Sequence, residues 1–268
     1  MKARVHYIDA LRVLAVLLLV PFHAARLFNV VPGPPVQAEP FYAKSAELSV
    51  PLSQLIGFID VWHMPLLFLL AGASSYFALR RRDARTYLGE RATRLLVPLL
   101  FGVLVIVPPQ AWIGAMTNTG YRGSLLAFWP SFYQLRGDLS GYFGTISPAH
   151  LWFILFLFVV SGAALPVMLR WRSDPTGGLA ARAAARLSEP AFWIVPPLVL
   201  LFAEALPDIA GKNPFVYLGY FLLGYVAMSD ARFMEGAERR SQAFNRIKSG
   251  HENSSIAAKQ PHFQTQKS

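Results

Sequence analysis

Two ionisable side chains, Arg12 and His23, lie inside the first hydrophobic stretch of the chain, which runs from Ile8 to Val31. They are eleven residues apart, and an α-helix turns 100° per residue, so both fall within about 20° of one helix face. Along the helix axis they are roughly 16 Å apart. Imidazole exchanges protons near neutral pH, and guanidinium binds anions. The spacing therefore predicts the wall of a polar cavity, with a proton carrier midway along the helix and a fixed positive charge near its start.

A second ionisable group occupies the segment DVWHMPLLFLLAG, which contains Asp60 and His63. In a helix, His63 is expected at a depth similar to that of His23, and Asp60 is expected to orient His63 from one turn away. Pro65 should kink this helix locally. Two histidines and an aspartate at matching depth are typical of a proton-transfer centre. The alternative interpretation is that each histidine only hydrogen-bonds a neighbouring helix.

Arg91 and Arg94 have the spacing i, i+3 at the predicted start of the third helix, so their side chains share a face. There they could bind an anionic cytosolic ligand such as a phosphorylated cofactor. The simpler interpretation is that they only fix membrane topology. His150 begins the fourth predicted helix at the outer surface, beside the interface anchors Trp152 and Phe153. The sequence has no cysteine, glycine-rich phosphate loop, metal-spaced cluster or nucleophilic-serine motif, so no metal site is predicted.

The composition indicates which elements hold these residues. Hydrophobic residues make up 54% of the 268 positions and charged residues only 15%, whereas soluble domains carry about a quarter charged residues. The apolar residues are gathered in runs of roughly 20, the length that crosses a hydrocarbon core of about 30 Å. The sequence therefore predicts an all-α fold, a polytopic transmembrane helix bundle whose ionisable groups face its interior. The six predicted spans are Ile8–Val31, Leu52–Leu79, Leu95–Met116, His150–Leu169, Ala191–Leu206 and Pro214–Met228.

Basic residues are concentrated in alternate loops. Arginines crowd the segments after the second, fourth and sixth spans, whereas the other loops hold few basic residues. Because Lys and Arg favour the cytoplasmic side of short loops, the amino terminus is predicted to be cytoplasmic. The net charge of +10 therefore reflects topology, and no nucleic-acid partner is predicted.

Two further segments carry predictions of their own. The outer segment LLAFWPSFYQL is predicted to be either a single-turn helix at the membrane interface or a packed loop. Residues 1–234 are predicted to form the membrane-embedded domain. Residues 235–268 are polar, with no apolar period, which predicts a disordered or non-native tail.

The chain resembles the acyltransferase-3 family of bacterial membrane acyltransferases. The resemblance rests on an Arg, ten residues and a His in the first helix, matched by Arg12 and His23, and on Arg-x-x-Arg, matched by Arg91 and Arg94. WHMPLLFLLAG resembles the family's second helix, and HLWFILFLFVV resembles the branch that modifies periplasmic glucans. The resemblance to the family extends roughly from Tyr7 to Met228. Family members have more membrane helices than the six predicted here, so an incomplete family fold is expected.

The resemblance implies transfer of an acyl group from cytosolic acyl-CoA to a hydroxyl of an extracytoplasmic glycan or glucan, in the bacterial inner membrane. His23 would act as general base, and Arg12, Arg91 and Arg94 would hold the phosphates or pantetheine arm of the donor. Second-rank candidates for substrate binding, chosen by depth and position, are Asp60, His63 and His150. The alternatives are a proton-coupled transporter or exporter, which also needs intramembrane His, Asp and Arg, and a scaffold whose polar contacts are purely structural.

Overall fold

A computed structural model describes residues 6–31, 43–134, 146, 148–172, 179–187, 189–192, 194–209 and 211–229. Within these ranges the chain forms helices joined by turns and contains no β-strand, which confirms the all-α prediction. The predicted tail, residues 235–268, lies outside the described residues, and so does most of the loop between residues 134 and 148.

Nine α-helices are found in the described part of the chain. They are α1 His6–Ala25, α2 Val50–Leu79, α3 Ala84–Phe101, α4 Val107–Thr119, α5 Leu125–Phe132, α6 Trp152–Arg172, α7 Leu179–Leu187, α8 Val195–Glu204 and α9 Pro214–Ala227. A π-helical turn, Gly102–Ile106, joins α3 to α4, and 3₁₀ turns at Ala149–Leu151 and Pro190–Phe192 precede α6 and α8.

Four of the predicted spans correspond to helices that are long and apolar enough to cross a bilayer. These helices are Ile8–Ala25, Val50–Leu79, Ala84–Thr119 and Ala149–Arg172. The sixth predicted span agrees closely with α9. The fifth is only ten residues long as α8, about 15 Å at 1.5 Å per residue, which is half of a hydrocarbon core. The fifth and sixth spans therefore stay predictions.

Two predicted helix ends were wrong in ways that move the candidate residues. α1 ends at Ala25, six residues before the predicted end, so His23 lies in the last turn of the helix and not midway along it. α3 begins at Ala84, because Asp83 caps it by accepting a 2.8 Å hydrogen bond from the Thr86 amide. Hydrogen bonds from Thr86 also hold the pKa of the Asp83 carboxyl below its usual value. Arg91 and Arg94 therefore lie two to three turns inside a helix.

The outer segment LLAFWPSF forms a packed helix of eight residues, α5, which is longer than the single turn predicted. Ser124 caps it by accepting a hydrogen bond from the Ala127 amide at 3.3 Å. Phe128 and Phe132 are buried against Val107 of α4. This small apolar cluster also anchors the turn that leads into α6.

The second helix, α2, is central to the packing. Phe68 of α2, Tyr87 of α3, Leu157 of α6 and Phe221 of α9 belong to one buried apolar cluster. On its other side, α2 packs against α1, where Phe22 and neighbouring residues are buried. Since α2 contacts all four helices, its polar side chains can reach residues from several elements at once.

Close contact between α2 and α9 depends on two glycines. A Cβ atom added at Gly72 would collide with the Phe221 carbonyl oxygen, and one added at Gly224 would collide with the Leu69 carbonyl oxygen. Both collisions are with backbone, which cannot move aside as a flexible side chain can. Small residues at helix contacts of this kind let two backbones approach closely in a membrane protein.

Replacement of Gly224 by alanine should therefore destabilise the protein by about 1–3 kcal/mol or more, the usual cost of overpacking. The matched control is Gly57→Ala in α2, where nothing lies within 4 Å of the added Cβ. That control should be neutral or slightly stabilising, because alanine favours helix by about 1 kcal/mol over glycine. Thermal unfolding in detergent measures both effects, and equal midpoints would contradict the packing described here.

Candidate functional site

Arg12 of α1 contacts α2 close to the carboxyl end of α2. Its guanidinium donates a hydrogen bond to the Ser74 hydroxyl and lies 3.4 Å from the Asp9 carboxylate one turn earlier. Ser74 in turn donates to the Leu70 carbonyl at 2.7 Å. The charge of Arg12 is therefore held between a carboxylate of its own helix and a hydroxyl of the next helix.

Arg91 of α3 contacts the adjacent serine of α2. Its Nη2 atom donates to Ser75 Oγ at 2.7 Å and to the Ala71 carbonyl at 3.4 Å, and its guanidinium lies 5.3 Å from the centre of the Tyr87 ring. Ser75 is fully buried, with 0% exposure, and also bonds the Tyr87 hydroxyl at 2.9 Å. Arg91 is thus fixed by a buried network that uses only one of its three nitrogens within the described part of the chain.

We call Arg12, Ser74, Ser75, Tyr87 and Arg91 the arginine–serine cluster. Consecutive serines of α2 each bond an arginine from a different helix, and two hydrogen-bonded positive charges near one helix end suit an anionic ligand. Sequence reasoning missed the serines and the tyrosine. Their signal was the pair of hydroxyls in the apolar segment AGASSYF, since buried hydroxyls in such segments usually bond other helices.

Arg94 is outside the arginine–serine cluster. Its side chain is 74% exposed and lies 3.6 Å from the Glu90 carboxylate. Glu90 forms a shorter ion pair, 2.6 Å, with Arg82. Arg91 and Arg94 therefore share a helix but differ in surroundings, one fixed by buried partners and the other at the surface.

The opposite end of α1 brings His23 close to His150, which lies in the 3₁₀ turn before α6. The two ring centres are 5.9 Å apart and the rings are nearly perpendicular, at 72°. Phe22 lies beside His23, with ring centres 5.4 Å apart. The sequence placed His150 only at the outer surface, so its contact with His23 is a finding of the structure. We call His23 and His150 the histidine pair.

Charged groups surround the same end of the bundle. Asp60 forms a 2.9 Å ion pair with Arg26 of the turn after α1. Lys212, just before α9, lies with its ammonium 4.9 Å from the centre of the Trp152 ring. Burial lowers the pKa of the Lys212 amine, an effect that Asp60 partly opposes and Arg26 reinforces. Lys212 was not among the residues singled out from the sequence, because it follows a short helix with no polar pattern.

His63 has a different environment from that predicted. It is 1% exposed, and its Nε2 atom lies 2.7 Å from the Ala15 carbonyl of α1. Ala15 precedes His23 by eight residues, about 12 Å along the helix, so His63 is deeper than His23 and not at matching depth. Asp60 pairs with Arg26 and does not orient His63. The structure thus pairs His23 with His150, and leaves His63 in a buried contact between α1 and α2.

The two clusters lie at opposite ends of α1 and α2. Arg12 meets Ser74 at one end, and Arg26 meets Asp60 at the other, so the helices run antiparallel. Roughly 16 Å separates Arg12 from His23 along α1. No group of three or more His, Asp or Glu side chains that could hold a metal ion lies within the described residues.

A family model, the Acyltransferase domain Acyl_transf_3, matches residues 5–233. The chain belongs to the acyltransferase-3 family. The resemblance inferred from the two arginine motifs is therefore confirmed. Since several helices of this acyltransferase-3 chain are long and apolar enough to cross a bilayer, it is an integral membrane protein.

Curated relatives of this acyltransferase-3 chain include Glucans biosynthesis protein C of Escherichia coli strain K12 and the protein of the same name from strain O1:K1 / APEC. Each is 25% identical over 173 residues, which is 64% of this chain and 40% of the relative. The chain thus matches less than half of the length of these relatives. No solved structure matches it.

Proposed function

We propose that this acyltransferase-3 chain moves an acyl group from cytosolic acyl-CoA to a hydroxyl of an extracytoplasmic carbohydrate. The observation that carries the proposal is the arrangement of α1: the arginine–serine cluster lies at one end and the histidine pair at the other. Acyl-CoA has its phosphates and its thioester at opposite ends of a long flexible arm. A separation of roughly 16 Å between Arg12 and His23 suits such a donor.

In the proposed reaction, a ring nitrogen of His23 takes the proton of the acceptor hydroxyl. The hydroxyl oxygen attacks the thioester carbonyl carbon, a new C–O bond forms, and the C–S bond breaks. The thiolate of coenzyme A leaves and receives the proton from protonated His23. General base catalysis of this kind is typically worth about 10²–10⁴-fold in rate.

On the donor side, Arg12 and Arg91 hold the phosphates or the pantetheine arm. Both hydrogen bonds that Arg91 forms with described residues come from Nη2, so Nη1 and Nε can donate to the donor phosphates. Arg94, exposed and paired with Glu90, attracts the donor from solution and contributes less to binding.

On the acceptor side, Asp60 and His150 line the end of the bundle at which the hydroxyl enters. His63 supports the contact between α1 and α2 next to Phe22, on whose ring it stacks at 6.4 Å. The relatives are named Glucans biosynthesis protein C, which makes a glucan the first acceptor to test. The bacterial inner membrane, with the amino terminus in the cytoplasm, would give each cluster access to its substrate.

The purified protein should release coenzyme A from acyl-CoA in a reaction that depends on an added carbohydrate. Thiol release and mass spectrometry of the carbohydrate measure the two products. Matched amounts of free thiol and acylated carbohydrate are expected, since one forms for each of the other. Proton-coupled movement of a solute across vesicles without thiol release would instead support the transporter.

The proposed orientation predicts which loops are accessible from outside the cell. The chain has no cysteine, so single substitutions such as Arg82→Cys, Arg182→Cys, Lys44→Cys and Ser131→Cys provide unique labelling sites. Lys44→Cys and Ser131→Cys should react with an impermeant thiol reagent in intact cells, and the two arginine substitutions only after lysis. Labelling of Arg82→Cys from outside would overturn the orientation.

A further inference from the structure

His150 is positioned by two neighbours that are each anchored elsewhere in the bundle. Leu151 packs against Gly102 of the π-helical turn so closely that a Cβ added at Gly102 would collide with the Leu151 side chain. Ala149 packs, with Leu151, on the apolar cluster of Val107 and its neighbours. The backbone on both sides of His150 is therefore fixed by contacts with α4 and the turn before it.

The backbone of Ala149 is strained. Its φ angle is +45°, a left-handed conformation that a residue with a Cβ atom rarely adopts. Strain of this kind persists only where the surroundings impose it, and such residues concentrate at functional sites. Here the strained residue immediately precedes His150 and sets the direction in which its ring leaves the chain, toward His23.

The Nδ1 atom of His150 is buried and has no hydrogen-bond partner among the described residues. A buried polar atom without a partner is costly, and native proteins keep few of them. The ring itself lies 5.9 Å from that of His23. A strained turn thus holds an unsatisfied ring nitrogen beside the histidine to which the proposed reaction assigns the proton transfer.

We infer that His150 Nδ1 accepts a hydrogen bond from a second hydroxyl of the carbohydrate, next to the hydroxyl that His23 deprotonates. The inference rests on the proposed function and adds a substrate class to it: acceptors with two neighbouring hydroxyls. His150 carries its own ring proton on Nε2 in this arrangement. It contacts the substrate but transfers no proton, so its loss affects acceptor binding and selectivity more than the chemical step.

The test compares two amide substitutions in the full chain. In His150→Asn, the amide lies near the position of Nδ1 and can still accept the hydrogen bond. In His150→Gln, the amide reaches the position of Nε2 instead. The probes are methyl glucoside and each of its monodeoxy analogues, measured as the acceptor KM and by saturation-transfer NMR of binding, which needs no turnover.

The parent and His150→Asn should prefer methyl glucoside over one monodeoxy analogue by roughly two- to tenfold, the usual value of one hydrogen bond. His150→Gln should lose that preference, with an unchanged KM for acyl-CoA. A parent that binds every analogue equally, or a glutamine variant that keeps the preference, overturns the inference. Binding with the expected preference but without acyl transfer refutes only the proposed function. A parent that binds none of the probes overturns the inference as well.

Discussion

Replacement of His23 by asparagine should lower the rate of acyl transfer by about 10²–10⁴-fold, the usual contribution of a general base. Asparagine keeps a hydrogen-bonding amide in the last turn of α1 but cannot take a proton from a hydroxyl. Membrane insertion and donor binding should survive, because Arg12 and Arg91 lie at the opposite end of the bundle. The measurement is acyl transfer by the full chain at matched membrane abundance, with acyl-CoA binding measured on the same preparation.

The matched control is His63→Gln, a histidine in the same region with a structural contact. Its Nε2 atom bonds the Ala15 carbonyl, and the glutamine amide can reach the same position, so activity should stay within a few-fold of the parent. Activity of His23→Asn within a few-fold of the parent would remove His23 from the catalytic role. If His63→Gln then lost activity, the role would move to His63.

The sequence was sufficient to predict the long helices, because an apolar run is a local property that length and hydropathy define. It failed at helix ends, where the deciding contact is a single cap. At position 83 the aspartate was itself available as a capping signal, but the charged residues between Ala84 and Arg94 were interpreted as loop. As a result Arg91 was placed at the start of a helix and not inside it.

Contacts between distant elements could not be predicted in the same way. The sequence placed His63 within its own helix, but the register of α1 against α2, which pairs it with Ala15, is a property of tertiary packing. The contact of His150 with His23 was harder still to predict, because it depends on the left-handed backbone of Ala149. Alanine gives no sequence signal for that conformation, unlike glycine or asparagine.

Arg91 should be the arginine whose loss most weakens donor binding. Loss of a charge-assisted hydrogen bond costs about 1.5–3 kcal/mol, so Arg91→Ala should weaken acyl-CoA binding by roughly ten- to a hundredfold. The substitution leaves no buried hydroxyl without a partner, because Ser75 still bonds Tyr87 and the Ala71 carbonyl. The effect on the fold should therefore be smaller than the effect on the donor. Direct binding of coenzyme A and the KM for acyl-CoA are the measurements.

Arg94→Ala is the matched control, since Arg94 lies one turn away on the same helix but is exposed and paired only with Glu90 among the described residues. Exposed ion pairs are typically worth less than about 1 kcal/mol, so this variant should lose at most about fivefold in affinity. Arg91→Lys should restore only part of the binding, because an ammonium cannot bond Ser75 and a phosphate with the fixed geometry of a guanidinium. Equal losses in the two alanine variants would mean that net positive charge, and not the buried network around Ser75, binds the donor. Unchanged donor binding in both variants would mean that Arg91 and Arg94 do not bind the donor and only fix the membrane topology.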